Sequence, residues 1–203
     1  MFLGEITTNA TIDLKGATID GQLNCEKATF EVAKGRALSA QDANVTGGAF
    51  LEKITTNATI DLNSATIGGQ LNCTKATFEV EVDHAVNAQD AKINGGLIWR
   101  EATVIKGTLS FANAHTSVLC DDESSWPSGG RVDLNGMTYD TFIGGPLDAK
   151  TRLAWLDKGS NWNGEFKPQP YTQLAKVLRA MGHDSDARQV LEKRDALLLK
   201  SYR

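Results

Sequence analysis

The chain has 203 residues, of which 41% are hydrophobic and 7% aromatic, and its 21 basic and 25 acidic side chains give a net charge of −4. This length and hydrophobic content exclude a disordered tail and a disulfide-stapled miniprotein. No apolar run reaches the roughly 18 residues of a membrane span, and residues 1–5 lack the basic and apolar regions of a signal peptide. We therefore expect a soluble, cytoplasmic protein.

The first half of the chain is an internal duplication. Residues 6–53 align without a gap on residues 54–101, with 30 identities in 48 positions. Within each unit a shorter pattern returns after 26 and then 22 residues, so one unit comprises a long coil and a short coil. The four-residue difference falls at 33–36 and again at 81–84. A repeat of this length predicts a solenoid.

Apolar residues recur as i, i+2 pairs within each coil, for example Ala17 with Ile19. Period two indicates short strands whose alternate side chains point inward. Such strands suit a chain that winds and pairs each strand with its copy one coil later, about 4.8 Å away. The sequence therefore predicts an all-β, right-handed parallel β-helix of about five to six coils over residues 1–140. Its predicted core includes Ile19, Leu23, Cys25, Phe30, Ile67, Leu71, Cys73 and Phe78.

Residues 17–21 and 65–69 resemble the A-[DN]-L-x-x units of pentapeptide-repeat proteins. The resemblance implies a right-handed, four-sided β-helix. The coils here are longer than four perfect pentapeptides, and threonine stands where that family favours aspartate or asparagine. Some pentapeptide proteins protect gyrase by mimicking DNA, so the resemblance also implies an alternative function as a DNA-mimic regulator of a nucleic-acid enzyme.

The repeat degrades after about residue 114. Residues 121–130 are rich in turn formers and predict a loop, and residues 132–139 predict a last strand pair. Trp126 and Tyr139 are predicted to cover the final coil.

The apolar period becomes helical in residues 141–203, which we predict to be an α-helical cap. Asp148 is a candidate N-cap of the first helix, and the second follows Pro168. Asp184 or Ser185 caps a third helix. The last two helices are predicted to form a hairpin that resembles half of a tetratricopeptide-type repeat.

Residues 168–179 and 182–188, together with 139–140 and 155–156, are similar to a group of uncharacterised bacterial proteins that carry the label membrane-associated oxidoreductase. In these proteins a solenoid leads into this helical segment and often into membrane spans. The resemblance implies an oxidoreductase activity. It also implies membrane association through further sequence in a longer natural chain.

The sequence itself supplies no cofactor or metal motif. Paired glycines such as Gly47 and Gly48 stand at predicted corners, without the strand, GxGxxG turn and helix that hold a dinucleotide. The three histidines lack metal-ligand spacing, and residues 121–123 suit a solvated loop better than a cation site. We therefore predict no catalytic, cofactor-binding or metal-binding residue, and no cofactor.

Cys25 and Cys73 occupy equivalent positions two coils apart, which separates them by roughly 9–10 Å. A disulfide needs Cα atoms within about 7 Å of each other, so both are predicted to be reduced and to face inward as small hydrophobic side chains. Cys120 is left without a partner, which fits a reducing compartment.

Two outer surfaces are candidates for interaction. Stacking places equivalent threonines in one column, with Thr29, Thr55, Thr77 and Thr103 as its candidate binding residues. Strand packing of β-branched residues explains the same column. Residues 1–140 hold 10 basic and 18 acidic side chains, net −8, whereas residues 141–203 hold 11 and 7, net +4. The basic helices, with Lys193, Arg194 and Lys200, suit an anionic membrane or nucleic acid or a solvated face, and nucleic acid is not favoured.

The leading hypothesis is a non-catalytic β-solenoid scaffold for protein–protein interaction or self-association. Residues 1–6 align on residues 49–54, so the first coil starts in mid-coil and is uncapped. An uncapped solenoid end exposes strand edges that pair with another chain. We therefore expect a protein partner, or a dimer through the N-terminal coil. The oxidoreductase and the DNA mimic remain the alternatives.

Overall fold

The structure is a computed structural model, which describes residues 1–81, 83–127, 131–159 and 165–201. The chain winds into a parallel β-solenoid of about six turns, followed by three α-helices. The predicted β-solenoid with a helical cap is confirmed. The strand pairs of these residues are all parallel, and each strand pairs with its counterpart one coil later.

Sheet I contains five two-residue strands, whose order in space follows the chain. Its outward residues are threonines in direct register, beginning with Thr7 opposite Thr29. The residue after each threonine faces inward, and here Phe30 and Phe78 fill the lumen at 1% and 0% exposure. The strands are β1 (Thr7–Thr8), β5 (Thr29–Phe30), β9 (Thr55–Thr56), β13 (Thr77–Phe78) and β16 (Thr103–Val104).

Sheet II forms the next side of the solenoid from six strands. Leu38, Ile60 and Val86 stack in register and are fully buried, whereas the residues that follow them form a polar outer column. The strands are β2 (Ile12–Asp13), β6 (Arg36–Ser39), β10 (Thr59–Asp61), β14 (His84–Asn87), β17 (Thr108–Ser110) and β19 (Arg131–Asp133).

Sheet III covers the remaining sides with nine strands. In the first coils two short strands meet at a corner, and in the later coils one long strand runs through the same position. The short strands are β3 (Thr18–Ile19), β4 (Leu23–Asn24), β7 (Asn44–Val45), β8 (Ala49–Phe50), β11 (Thr66–Ile67) and β12 (Leu71–Asn72). The long strands are β15 (Lys92–Trp99), β18 (His115–Asp121) and β20 (Thr138–Phe142).

The corner inside sheet III explains the paired glycines of the sequence. Gly47 N–H donates to the carbonyl of Gly21 at 2.8 Å, and Gly69 N–H donates to Gly47 at 2.8 Å. A Cβ atom on Gly68 would lie 2.1 Å from the carbonyl oxygen of Thr46. At Gly68 the two coils therefore approach each other too closely for a side chain, and this glycine serves packing.

Three helices follow the last coil: α1 (Ala149–Asp157), α2 (Gln169–Ala180) and α3 (Asp184–Ser201). Asp148 caps α1, as predicted, by accepting a hydrogen bond from Thr151 N–H at 2.9 Å. Helix α2 is tied to β20, because the Gln173 amide donates to the carbonyl of Tyr139 at 2.6 Å. The helices therefore pack on the solenoid.

The eight residues predicted for the core are all buried in the solenoid, from Leu23, Cys25, Cys73, Phe78 and Leu71 at 0% to Ile19 at 8% exposure. The loop predicted for residues 121–130 begins one residue later than expected. Asp121 ends β18 and is 2% exposed, and a 3₁₀ turn (Glu123–Ser125) follows, capped by Asp122. Residues 128–130 lie outside the described residues. The charge of the buried Asp121 is compensated by the Arg152 guanidinium of α1.

Candidate functional site

The four extra residues of each long coil enlarge one corner of the solenoid, where the chain crosses from sheet I to sheet II. The strand register places them before Leu38 in the first repeat and before Val86 in the second. Part of the extra length is taken up by a β-bulge beside Arg36, which recurs beside His84. Val82, in the second enlarged corner, lies outside the described residues.

Each enlarged corner is held by a threonine from the preceding short coil. Thr11 Oγ1 donates to the carbonyl oxygen of Arg36 at 2.6 Å, and Thr59 Oγ1 donates to that of His84 at 2.7 Å. The two hydrogen bonds occupy equivalent positions of the repeat. Both corners are therefore fixed in the same way, two coil rises or roughly 9–10 Å apart.

A cavity of about 320 Å³, here called the polar cleft, lies against the outer surface of sheet II and is lined by these two corners. The outward residues Asp13, Ser39, Asp61 and Asn87 line it and pair in register. Asp13 and Asp61 each accept the backbone N–H two residues further on, at 3.0 and 3.1 Å. These Asx turns give the column a role in shaping the coil as well as a place in the cleft.

Asp61 is the most buried charge of the polar cleft, at 1% exposure. Its Oδ2 lies 2.5 Å from Nε of Arg36, and its Oδ1 accepts from the Asn87 amide at 3.1 Å. Arg36 itself is about half exposed. Since both oxygens of Asp61 have partners, the carboxylate holds the Arg36 guanidinium in place on the cleft wall.

Asp83 brings a negative charge to the second corner. It accepts the backbone N–H of His84 at 2.7 Å and lies 3.0 Å from the Nδ1 atom of the His84 ring. The backbone hydrogen bond lowers the pKa of Asp83, the His84 ring and Arg36 lower it further, and partial burial opposes them. Asp83 is therefore ionised at neutral pH.

None of the cleft residues was named as a site from the sequence. A signal was present, however, because the four-residue difference at 33–36 and 81–84 marks the two corners that line the cleft. The charge pair across coils, Arg36 with Asp61, had no local signal, since the partners lie 25 positions apart in the sequence.

The structure brings the candidate threonines together. Thr29, Thr55, Thr77 and Thr103 pair in register on the outer face of sheet I, and all are half-buried or exposed. A charged column borders them: Lys27 Nζ lies 2.8 Å from Glu5, and Lys75 Nζ lies 3.5 Å from Glu101. The like charges of this column are thereby compensated within the solenoid.

The candidate basic residues do not form one uniform surface. Lys193 and Lys200 are exposed on α3, whereas the Arg194 side chain is 25% exposed. Arg194 donates to Asp195 at 2.7 Å and to Thr172 Oγ1 of α2 at 3.1 Å. Arg194 therefore links α2 and α3, and fewer of its N–H groups can bind a partner.

A buried ion pair seals the last coil. Arg152 of α1 is 0% exposed and donates two hydrogen bonds to Asp121, at 2.6 and 2.8 Å. Its guanidinium lies 3.9 Å from the ring centre of Phe142. Trp126 and Trp155 stack beside it with centroids 6.1 Å apart, and the Trp126 N–H donates to Asp121 at 3.1 Å. The aromatic cover predicted for the final coil is thus anchored by a charge pair.

The cysteines are free, and Cys25 and Cys73 are fully buried. Burial raises the pKa of the Cys25 thiol to about 12 and raises that of Cys73 as well. Cys120 is only half-buried.

We expect a maleimide at pH 8 to label Cys120 at least about tenfold faster than Cys25 and Cys73, because the thiolate is the nucleophile. Peptide mass spectrometry of timed samples measures the rates. A Cys120→Ser variant should lose the fast phase, and equal rates at all three sites would contradict the burial of Cys25 and Cys73.

The described residues contain no group of three or more His, Cys, Asp or Glu side chains that could hold a metal ion. Asp121, Asp122 and Glu123 do not converge on a cation, since Asp121 pairs with Arg152 and Asp122 caps the 3₁₀ turn. Among residues 1–81, 83–127, 131–159 and 165–201, no helix has both the length and the apolar character that crossing a membrane requires.

These observations define the class of protein as a parallel β-solenoid that is closed at one end by packed helices and carries a polar cleft on one side. No family model, curated protein or solved structure matches the chain.

Proposed function

We propose that the protein is a non-catalytic β-solenoid scaffold that self-associates through its first coil. The observation that carries the proposal is the contrast between the two ends of the solenoid. One end is covered by α1, Trp126 and the buried Arg152–Asp121 pair. The other end presents strand edges and partly exposed apolar side chains.

The strand edges of the first coil lie at the ends of their sheets. Among the described residues β1, β2 and β3 have a pairing partner only on the side of the second coil. Leu3, Ile6 and Ile12 pack against the core yet are only partly buried. Unpaired N–H and C=O groups beside apolar surface favour pairing with a further strand.

A second copy of the chain is the partner that fits this end. Two first coils related by a two-fold axis present the same outline and the same edges to each other, so the contact is self-complementary. Each β2 edge then meets another β2 edge, and Ile12 is covered from both sides. Other proteins would have to reproduce the spacing of three sides of the solenoid at once.

Size-exclusion chromatography coupled to light scattering tests self-association. We expect a mass near twice 21.9 kDa for the full chain, with dissociation on dilution. Ile12 is in register with the buried Leu38, so Ile12→Lys places an inward-pointing charge at the open end of the lumen. The variant is expected to shift the chain to monomer, because an inward-pointing charge on an edge strand disfavours pairing. Ile105→Lys is the control for the added charge, since Ile105 is 46% exposed on a later coil, and it should leave the dimer intact.

A monomer of 21.9 kDa at all concentrations would overturn the self-association proposal. A dimer that survives Ile12→Lys unchanged would overturn the first coil as its interface. Circular dichroism of each variant separates loss of association from loss of folding.

A further inference from the structure

The polar cleft is large enough for a small ligand. Its volume of about 320 Å³ corresponds to about ten water molecules, and it reaches the lower end of the range for ligand sites, about 300 Å³. Its wall is preorganised, because Thr11 and Thr59 hold the two corners by hydrogen bonds and Asp61 holds Arg36. Little conformational entropy is therefore lost when a ligand enters.

One side of the polar cleft is cationic. Arg36 and Lys34 both come from the first enlarged corner, and both line the cavity. Arg36 is oriented through its Nε by the buried Asp61, and a guanidinium offers further N–H donors to an anionic group. This side suits a carboxylate or a similar small anion.

Acidic side chains also line the polar cleft. Asp83 lines it from the second corner and Asp13 from β2, and one oxygen of each makes a local hydrogen bond. The second oxygen of a carboxylate can still accept from an ammonium group. A ligand that carries only negative charge is repelled by Asp13 and Asp83. A ligand that carries only positive charge is repelled by Arg36 and Lys34.

Neutral sugars fit the lining less well. Among the described residues, no Phe, Tyr or Trp side chain lines the polar cleft, so a sugar ring lacks an apolar surface on which to stack. Charged side chains of both signs are the feature that the lining offers.

We propose that the polar cleft binds a small zwitterion of the amino-acid class, with its carboxylate at Arg36 and its ammonium group at Asp83. The opposite charges of the two corners then bind the opposite charges of one ligand. Ligand binding is independent of self-association, because calorimetry measures the former and light scattering the latter.

Isothermal titration calorimetry of the full chain tests the proposal with glycine, 4-aminobutyrate and 6-aminohexanoate, which are zwitterions of increasing charge separation. Acetate, ethylammonium and glycerol supply the anion, the cation and the neutral polyol alone. We expect saturable binding of at least one zwitterion, about tenfold or more tighter than each of the three comparison compounds.

Two substitutions then locate the site. Arg36→Gln and Asp83→Asn are each expected to weaken the zwitterion by about tenfold or more, while Arg188→Gln on α3 and Asp20→Asn, both exposed, leave it unchanged. Asp83 is 67% exposed, so Asp83→Asn preserves the fold and tests the site even where Arg36→Gln perturbs it. Absence of saturable binding by all three zwitterions, equal binding of acetate or ethylammonium, tighter binding of glycerol, or binding unaffected by both cleft substitutions would each overturn the proposal.

Discussion

Replacing Arg152 with alanine is expected to lower the free energy of unfolding by about 3–5 kcal/mol, because the change leaves a carboxylate buried without its cation. Asp121 is 2% exposed and receives both hydrogen bonds from Arg152 at 2.6 and 2.8 Å. Arg152 also donates to the carbonyl of Pro146 at 2.7 Å and packs over the ring of Phe142. The same substitution therefore detaches α1 from the last coil.

Urea unfolding followed by circular dichroism measures the loss. Lys27→Ala removes an exposed ion pair with Glu5 and is the control, with no measurable change expected. The double variant Arg152→Met, Asp121→Leu should recover most of the lost stability, since no charge is then left buried and unpaired. Equal destabilisation by Arg152→Ala and by the double variant would show that packing, and not the unpaired charge, dominates.

Gly68→Ala is expected to destabilise the solenoid by about 3 kcal/mol, because overpacking forces the backbone apart. The new Cβ would lie 2.1 Å from the carbonyl oxygen of Thr46 in the preceding coil. That oxygen belongs to the backbone, and the neighbouring Gly68 N–H is bonded to Val45 at 2.8 Å. The two coils must therefore separate at the corner of sheet III.

Gly16→Asn is the matched glycine substitution and should change the urea midpoint little. Gly16 has a φ of +65°, and nothing lies within 4 Å of its Cβ position. Equivalent corners of later coils carry Asp42, Ser64 and Asp90 at φ values of 55 to 58°, so the repeat already accepts side chains there. A loss for Gly16→Asn as large as that for Gly68→Ala would contradict the steric explanation.

Much of the solenoid was predictable because its stabilising pattern is local and repeated. The i, i+2 spacing of Ala17 with Ile19 and of Leu23 with Cys25 marks inward positions. A solenoid places the copy of each such residue directly above it, as Val45 lies against Ile19 and Ala49 against Leu23. The equivalence of Thr29 with Thr55 follows from the same alignment. The four-residue difference between coils was also visible, although its consequence, an enlarged corner over a polar column, was not.

The ion pairs that cover the last coil and line the polar cleft depend on tertiary structure. Asp121 belongs to a turn-rich run that predicts a solvated loop, and only the docking of α1 brings Arg152 to it from 31 positions away. Asp61 is a turn former in the sequence, and only the stacking of coils places Arg36 and Asn87 against it.

The winding, the core and the outer columns follow from the order of the residues, because each of these depends on periodicity, which is a property of neighbouring residues. Which charges are buried and which face the polar cleft depends instead on how distant segments pack. The burial of a charge depends on whether a partner from a distant part of the chain compensates its lost hydration, and that compensation has no periodic signature in the sequence.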